Sequence, residues 1–350
     1  MKYKKFAALL MAAVLMMNLC GCRKEEEEPE IPPEPVDPNF PITLELSGET
    51  ITLHEAPERI VSLSPAITEL FCDLGEESLL KGVSSYDSLS KTDCGTAQAV
   101  DLEAVEKLSP ELLFTDTPLL NEELKQLQQM DVEVLYLPRP QTITEITDRA
   151  ELILLALYGK DDGAEKAAEF TDSWNKEWRP LKDCGIAVAD TDRKNVVLLA
   201  DLDLVAGGDC WEGQMLEELA MNNLAAEGKD WQLPQVQTAE DGTKSYSYGE
   251  TAIEWNPDVI FYRSELDAET IKASEMYANS TAVANGALYP VDWTVLQMQN
   301  GDLPELFASM TEQVYPDVWK MVQDAIAEEK AAEEAAAAEQ AAAETEKTEE

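Results

Sequence analysis

One pattern occurs twice in the chain. Residues 103–114 read EAVEKLSPELLF and residues 250–261 read ETAIEWNPDVIF: glutamate first, proline seven positions later, an acidic residue directly after it, and an apolar run closing on phenylalanine. A short amphipathic stretch, a proline break and an apolar triplet predict a helix, a turn and a buried strand in each copy. Because all the matched positions keep one offset, the pattern is duplicated architecture. It constrains the body to two similar lobes.

The ends lie outside those lobes. Lys2, Lys4 and Lys5 precede an apolar run over 6–17 that is short for a bilayer span and has the length of a signal-peptide core. It closes on Leu19-Cys20-Gly21-Cys22, the lipobox pattern. Residues 1–21 are therefore expected to be a lipoprotein signal peptide and Cys22 the lipidated N-terminus. Cys20 fits less well, because Leu19 would then hold the small-residue position. Several acyl chains on Cys22 would keep the protein anchored on the extracytoplasmic face of the cell membrane. Residues 22–41, rich in Glu and Pro, read as an extended tether. Residues 323–350 are alanine and glutamate with no apolar face to cover, and read as a solvent helix or a disordered tail.

Between these ends the chain, 350 residues in all and 45% apolar, can bury a large core. Residues 43–53 alternate as a half-buried hairpin; 60–63, 82–85, 112–115 and 132–137 read as strands separated by helical patterns. An apolar-faced helix is expected over 142–158 and another over 164–178, followed by new strands at 196–199, 259–261 and 288–291. The expected fold class is α/β: two Rossmann-like lobes joined by one long helix, with a ligand cleft between them near the strand C-termini. The expected bounds are 42–138 for the N-terminal lobe, 139–160 for the connecting helix and 161–322 for the C-terminal lobe.

A formal charge of −44 makes nucleic acid and anionic lipid poor partners, and disfavours highly negative ligands unless a local arginine receives them. Cys72, Cys94, Cys184 and Cys210 are even in number, which allows one or two disulfides, but no spacing is that of a zinc or haem motif. The single histidine, His54, lies in the hairpin region and far from Ser64, against both a Ser-His-Asp triad and a bare zinc or manganese receptor. Residues 207–213, GGDCWEG, have neither dinucleotide nor phosphate-loop spacing, and Asp190-Thr191-Asp192 lacks the glycine and terminal glutamate of a calcium loop. These readings favour stoichiometric binding by a monomer, with no catalytic residue, metal ion or covalent cofactor.

Residues 59–87 contain RIVSLSPAITEL, then LG, then GVSSYD. With the doubled segment and Val291-Asp292-Trp293, this resembles the helical-backbone substrate-binding proteins of ABC importers, the family that delivers cobalamin, ferric siderophores and haem. The resemblance covers about 42–322, and its wording is most similar to the cobalamin-binding members. It implies a receptor that captures a corrinoid or ferric siderophore outside the cell, hands it to a permease with its ATPase, and performs no chemistry. In that family a surface glutamate on each lobe engages the permease; these fall on Glu103 and Glu250. Loops at strand exits are expected to line the cleft, bringing Ser64, Ser85, Tyr86 and Asp116 from one lobe and Trp211, Arg263, Asp292 and Trp293 from the other. Tyr86 and Trp293 would be aromatic walls for a large flat ligand, and Arg263 could meet a carboxylate or hydroxamate. Trp231 is a further aromatic candidate. Thr96 and Asp116 stand where cobalamin-binding members place tryptophan, a departure that weighs against a corrin. Two other readings compete: an extracytoplasmic sensor or scaffold that kept the fold without transport, and a hydrolase using acidic residues, which would turn a substrate over.

Overall fold

The computed structural model describes residues 37–46, 49–228, 231–232, 235–241, 244–247 and 255–348. The signal segment, Cys22, nearly all of the tether and Glu250 lie outside the described residues.

In the first lobe β1 (Ile42–Leu46) and β2 (Glu49–Leu53) form an antiparallel hairpin. β3 (Ile60–Ser62), β4 (Leu80–Val83), β5 (Thr92–Asp93), β8 (Leu112–Thr115) and β9 (Glu133–Tyr136) form a parallel sheet in the order β5-β4-β3-β8-β9, and β6 (Gly95–Thr96) pairs with β7 (Ala99–Val100) beside it. Helices α1 (Pro65–Asp73), α2 (Leu102–Leu108) and α3 (Asn121–Gln129) connect the strands. The central strands β3 and β8 are buried on both faces, as a sheet covered by helices on either side requires. Ile60, Leu112 and Phe114 pack into one buried cluster, while Val61 and Leu113, between them in sequence, pack into another.

Two helices follow, α4 (Ile143–Tyr158) and α5 (Lys160–Ala187), broken by Gly159. Gly159 has φ 74°, and a Cβ there would stand 2.4 Å from the Asn39 carbonyl oxygen, so only glycine serves. Asn39 uses the close approach: its Oδ1 accepts from the amides of Asp161 and Asp162, both at 3.1 Å, and caps α5. Helix α4 puts Ala150, Ile153, Ala156 and Leu157 into the first lobe's core and Ile146, with Ile143 beside it, against the second's. Helix α5 carries Phe170, which touches both cores, then Trp174, Trp178, Leu181 and Cys184 into the second. Both helices thus touch both cores, and α5 is 28 residues and about 42 Å long. The apolar period of 142–158 revealed a buried face but not which lobe covers it.

The second lobe is built from β10 (Asn195–Asp201), β11 (Leu204–Ala206), β12 (Asn222–Asn223), β13 (Trp231–Gln232), β16 (Val259–Arg263) and β17 (Leu288–Val291), with β14 (Gln235–Thr238) and β15 (Lys244–Ser247) as a separate hairpin. The sheet runs β13-β11-β10-β16-β17, with β12 also on β10; β10, β16 and β17 are parallel, β11 runs antiparallel to β10, and β13 antiparallel to β11. Its helices are α6 (Trp211–Glu218), α7 (Ala268–Ala273), α8 (Thr281–Asn285), α9 (Trp293–Met298), α10 (Leu303–Val314) and α11 (Pro316–Thr348).

The doubled segment delivers matched strands. β8 lies between β3 and β9, and β16 lies between β10 and β17. The acidic residue after each proline has the same task. Glu111 accepts from the Arg59 amide at 2.7 Å while its own amide donates to the Arg59 carbonyl; Asp258 accepts from the Asn195 amide at 3.0 Å while its amide donates to the Asn195 carbonyl. Each acid thus pins the start of its strand to the start of the neighbouring one.

All four described cysteines are free thiols, so the disulfides that their even number allowed are not formed. Burial pushes Cys94 and Cys184 up to about 11 and Cys210 up to about 12, which holds them protonated. The tail continues as helix α11, seated by buried Val322 and an Arg179–Glu329 ion pair.

Candidate functional site

The C-terminal edges of the two sheets meet at the lobe junction. Helix α1 leaves β3, helix α9 leaves β17, and the two pack against each other. The loops at the two edges differ chemically.

On the first-lobe side, Ser64 is fully buried and caps α1, accepting from the Ile67 amide at 3.3 Å and donating to Asp116 Oδ2 at 2.6 Å. Ser64 and Asp116 thus hold each other across neighbouring strand exits. Ser85 donates to Asp93 Oδ1 at 2.7 Å; the Gly95 amide, at 2.9 Å, and Ser85 together keep Asp93 below the usual carboxylate range. Thr68 donates to Asp87 at 3.0 Å, yet burial still raises Asp87 to about 6. Above this network Tyr86 stands free, 79% exposed, its amide bonded to Ser84 Oγ at 3.3 Å. Serines and aspartates fix the loop that presents an aromatic ring.

The second-lobe side is aromatic and cationic. Asp292 caps α9 through the amides of Thr294, at 2.9 Å, and Val295, at 3.2 Å, so that Trp293 opens the helix at the strand exit. The Trp231 ring lies 5.2 Å from Trp293, inclined by 60°, and Arg263 Cζ lies 5.9 Å from the Trp293 centroid. Arg263 donates to both oxygens of Glu265, from Nε at 2.9 Å and Nη2 at 3.4 Å. Trp211, expected at the cleft, is instead 3% exposed and packed on Phe307 in the second lobe's core. The preceding glycine-rich run serves packing as well: a Cβ on Gly213 would stand 1.8 Å from the Gly207 carbonyl oxygen. Cys210 caps α6 with its sulfur, which accepts from the Gly213 amide at 3.4 Å, while the thiol donates to the Gly207 carbonyl at 3.2 Å.

Between the two sides runs a polar joint that sequence reasoning missed. Arg139 donates to Gln299 Oε1 at 3.1 Å, Gln297 Oε1 at 3.2 Å and Glu212 Oε1 at 3.3 Å. Gln297 Nε2 donates to the same Glu212 oxygen at 2.8 Å, and Gln299 Nε2 to the Pro140 carbonyl at 3.0 Å. The Gly301 amide donates to Asp73 Oδ2 at 2.7 Å. Glu212 is 4% exposed, so its charge depends on this joint for compensation. Burial raises Asp73 to about 6 even though the Gly301 amide stabilises its charged form. Nothing local in the sequence marks these residues, because the joint gathers side chains from distant segments.

Glu103, on the first turn of α2, is exposed and pairs with Lys107 at 2.7 Å. His54 is exposed, and the described residues hold no cluster suited to a metal ion.

A family model described as periplasmic binding protein matches residues 60–292. The chain belongs to the periplasmic binding protein family. Over 327 residues this binding protein is 25% identical to the uncharacterized ABC transporter substrate-binding lipoprotein YvrC of Bacillus subtilis (strain 168), covering 90% of this chain and 98% of that one. It is 26% identical over 263 residues to a cobalamin-binding protein of Halobacterium salinarum, covering 72% of this chain and 66% of that one. Among solved structures, the periplasmic haem-binding protein HutB of Vibrio cholerae superposes with a TM-score of 0.58 at 17% identity, over 74% of this chain and 99% of that one, a likeness of fold.

Proposed function

We propose that this binding protein is the extracytoplasmic, lipid-anchored substrate-binding component of an ABC importer, and that its cleft captures a corrinoid or a ferric-siderophore-like complex. The observation that carries the reading is the Trp293, Trp231 and Arg263 group at the exits of β16 and β17, on a cleft whose other side presents Tyr86. Rigid aromatic faces bury large area at small entropic cost, which suits a bulky metal complex. The names of YvrC and the Halobacterium protein support the same class. The ligand-contacting residues in this reading are Tyr86, Ser85, Arg263 and Trp293, with Ser64, Asp116 and Asp292 holding their loops. The protein works as a monomer, Cys22 carries the anchor, and Glu103 and Glu250 register the two lobes on the permease. A charge contact there steers docking more than it adds affinity.

Titration of the purified protein with cyanocobalamin, ferric hydroxamates, ferric catecholates and haemin, read by quenching of tryptophan fluorescence, tests the ligand assignment. One of these should bind stoichiometrically with a sub-micromolar constant, and Trp293→Ala should weaken it about tenfold or more. Failure with all four overturns the assignment. For docking, Glu103→Arg with Glu250→Arg should lower ligand uptake by cells while leaving the solution affinity unchanged; unchanged uptake removes that role.

A further inference from the structure

The two arginines at the strand exits are both occupied. Arg139 is spent on Glu212, Gln297 and Gln299 in the joint. Arg263 lies in the middle of the second sheet's cleft edge, since β16 runs between β10 and β17. Its guanidinium is gripped side-on by both oxygens of Glu265, and Ser264 Oγ, 3.4 Å from Glu265 Oε2, helps to fix that carboxylate. Trp293 limits the guanidinium on its ring side. The remaining charges at the sheet edges are carboxylates: Asp87, Asp93 and Asp116 on one side, Asp201 and Asp292 on the other. An anion entering this cleft meets acidic groups, and among the described exit residues the arginine nearest the aromatic wall already holds a carboxylate.

We propose that Glu265 sets the charge selection of the cleft: by neutralising Arg263 it makes the site accept neutral or cationic metal complexes and turn away polyanionic ones. This rests on the uptake reading given above and narrows its ligand class. Both side chains are partly exposed, at 43% for Arg263 and 59% for Glu265. The pair is therefore weak enough to be opened by substitution without harm to the fold. Like-charge juxtaposition is a common means of rejecting a wrong partner, and here Glu265 supplies it.

The test uses the purified protein, its Glu265→Gln variant, and Glu265→Gln combined with Arg263→Gln. The probes are cyanocobalamin, which is neutral, ferrioxamine B, a cation, and haemin and a ferric tris-catecholate, both anions. The parent protein should bind a neutral or cationic probe at least tenfold more tightly than either anion. Glu265→Gln should raise affinity for the anions about two- to fivefold at low salt, with the gain shrinking at 0.5 M salt and vanishing in the double variant. Tighter binding of an anion by the parent, or a Glu265→Gln variant of native thermal stability with unmoved anion affinity, overturns the charge rule while leaving the uptake reading intact. Binding of no probe of any charge overturns the uptake reading, and the charge rule with it.

Discussion

The two lobes share a frame and differ at its edge. In each, a strand from the doubled segment sits between two parallel neighbours, and in each the acid after the proline ties the bases of two strands together. At the opposite ends of those strands the likeness stops. The first lobe finishes in serines and aspartates bonded to one another below an exposed tyrosine, the second in two tryptophans and a clamped arginine. The difference teaches that register was held fixed while strand exits were free to diverge. A parallel sheet buried on both faces tolerates little change along its strands, whereas loops at its edge can carry new side chains at small cost.

The sharpest way to break this comparison is at the joint that belongs to neither lobe alone. Arg139→Ala leaves the buried Glu212 carboxylate without its cation, and should lower stability by about 2–4 kcal/mol in urea unfolding. It should also widen the distribution of lobe orientations seen by solution scattering. A loss under 0.5 kcal/mol would mean that the cores around α5 hold the lobes unaided.

A more even test compares the paired acids. Glu111→Ala and Asp258→Ala each orphan a backbone amide at a strand start, and each should cost about 1–2 kcal/mol by the same measurement. Glu111 should stand at the upper end, since it also pairs with the Arg59 guanidinium. If one variant is neutral and the other costly, the duplication is one of shape without shared energetics.

The smallest effect is expected at Asp73. Its carboxyl is raised from 3.8 to about 6 by burial, so the folded state binds the proton more tightly than the unfolded chain does. That contribution to stability is complete below pH 3.8 and is lost as the pH rises through about 6. Asp73→Asn keeps an acceptor for the Gly301 amide and removes the ionisation. It should therefore be more stable than the parent at pH 7 by about 1 kcal/mol, after allowance for partial solvent screening, and match it near pH 4. Denaturant titrations at the two pH values check the sign. A variant less stable at pH 7 would mean that the ionised Asp73 is what the joint requires.

Much of the frame was legible because its signals are local. The runs at 60–63, 112–115 and 259–261 are short and apolar on both faces, which states a buried parallel strand, and the constant offset of the doubled segment states two lobes. The site was less legible. Ser64 and Asp292 were read as ligand contacts and proved to cap helices, since a polar residue at a strand exit has the same appearance in either role. Trp211 follows a glycine-rich run that suggested an open loop, but the glycines are there for close backbone packing and the ring turns into the core.

By itself the sequence determined the fold class, the doubled strand and the acidic balance of the chain, because these follow from residue type and periodicity within a dozen positions. Only the tertiary structure decided how α4 and α5 divide between the two cores, and that Arg139, Glu212, Gln297, Gln299 and the Asp73–Gly301 pair form one joint. Those are contacts between residues brought together by chain folding. In so acidic a chain no acid is singled out by composition, and only position in space chooses its partner.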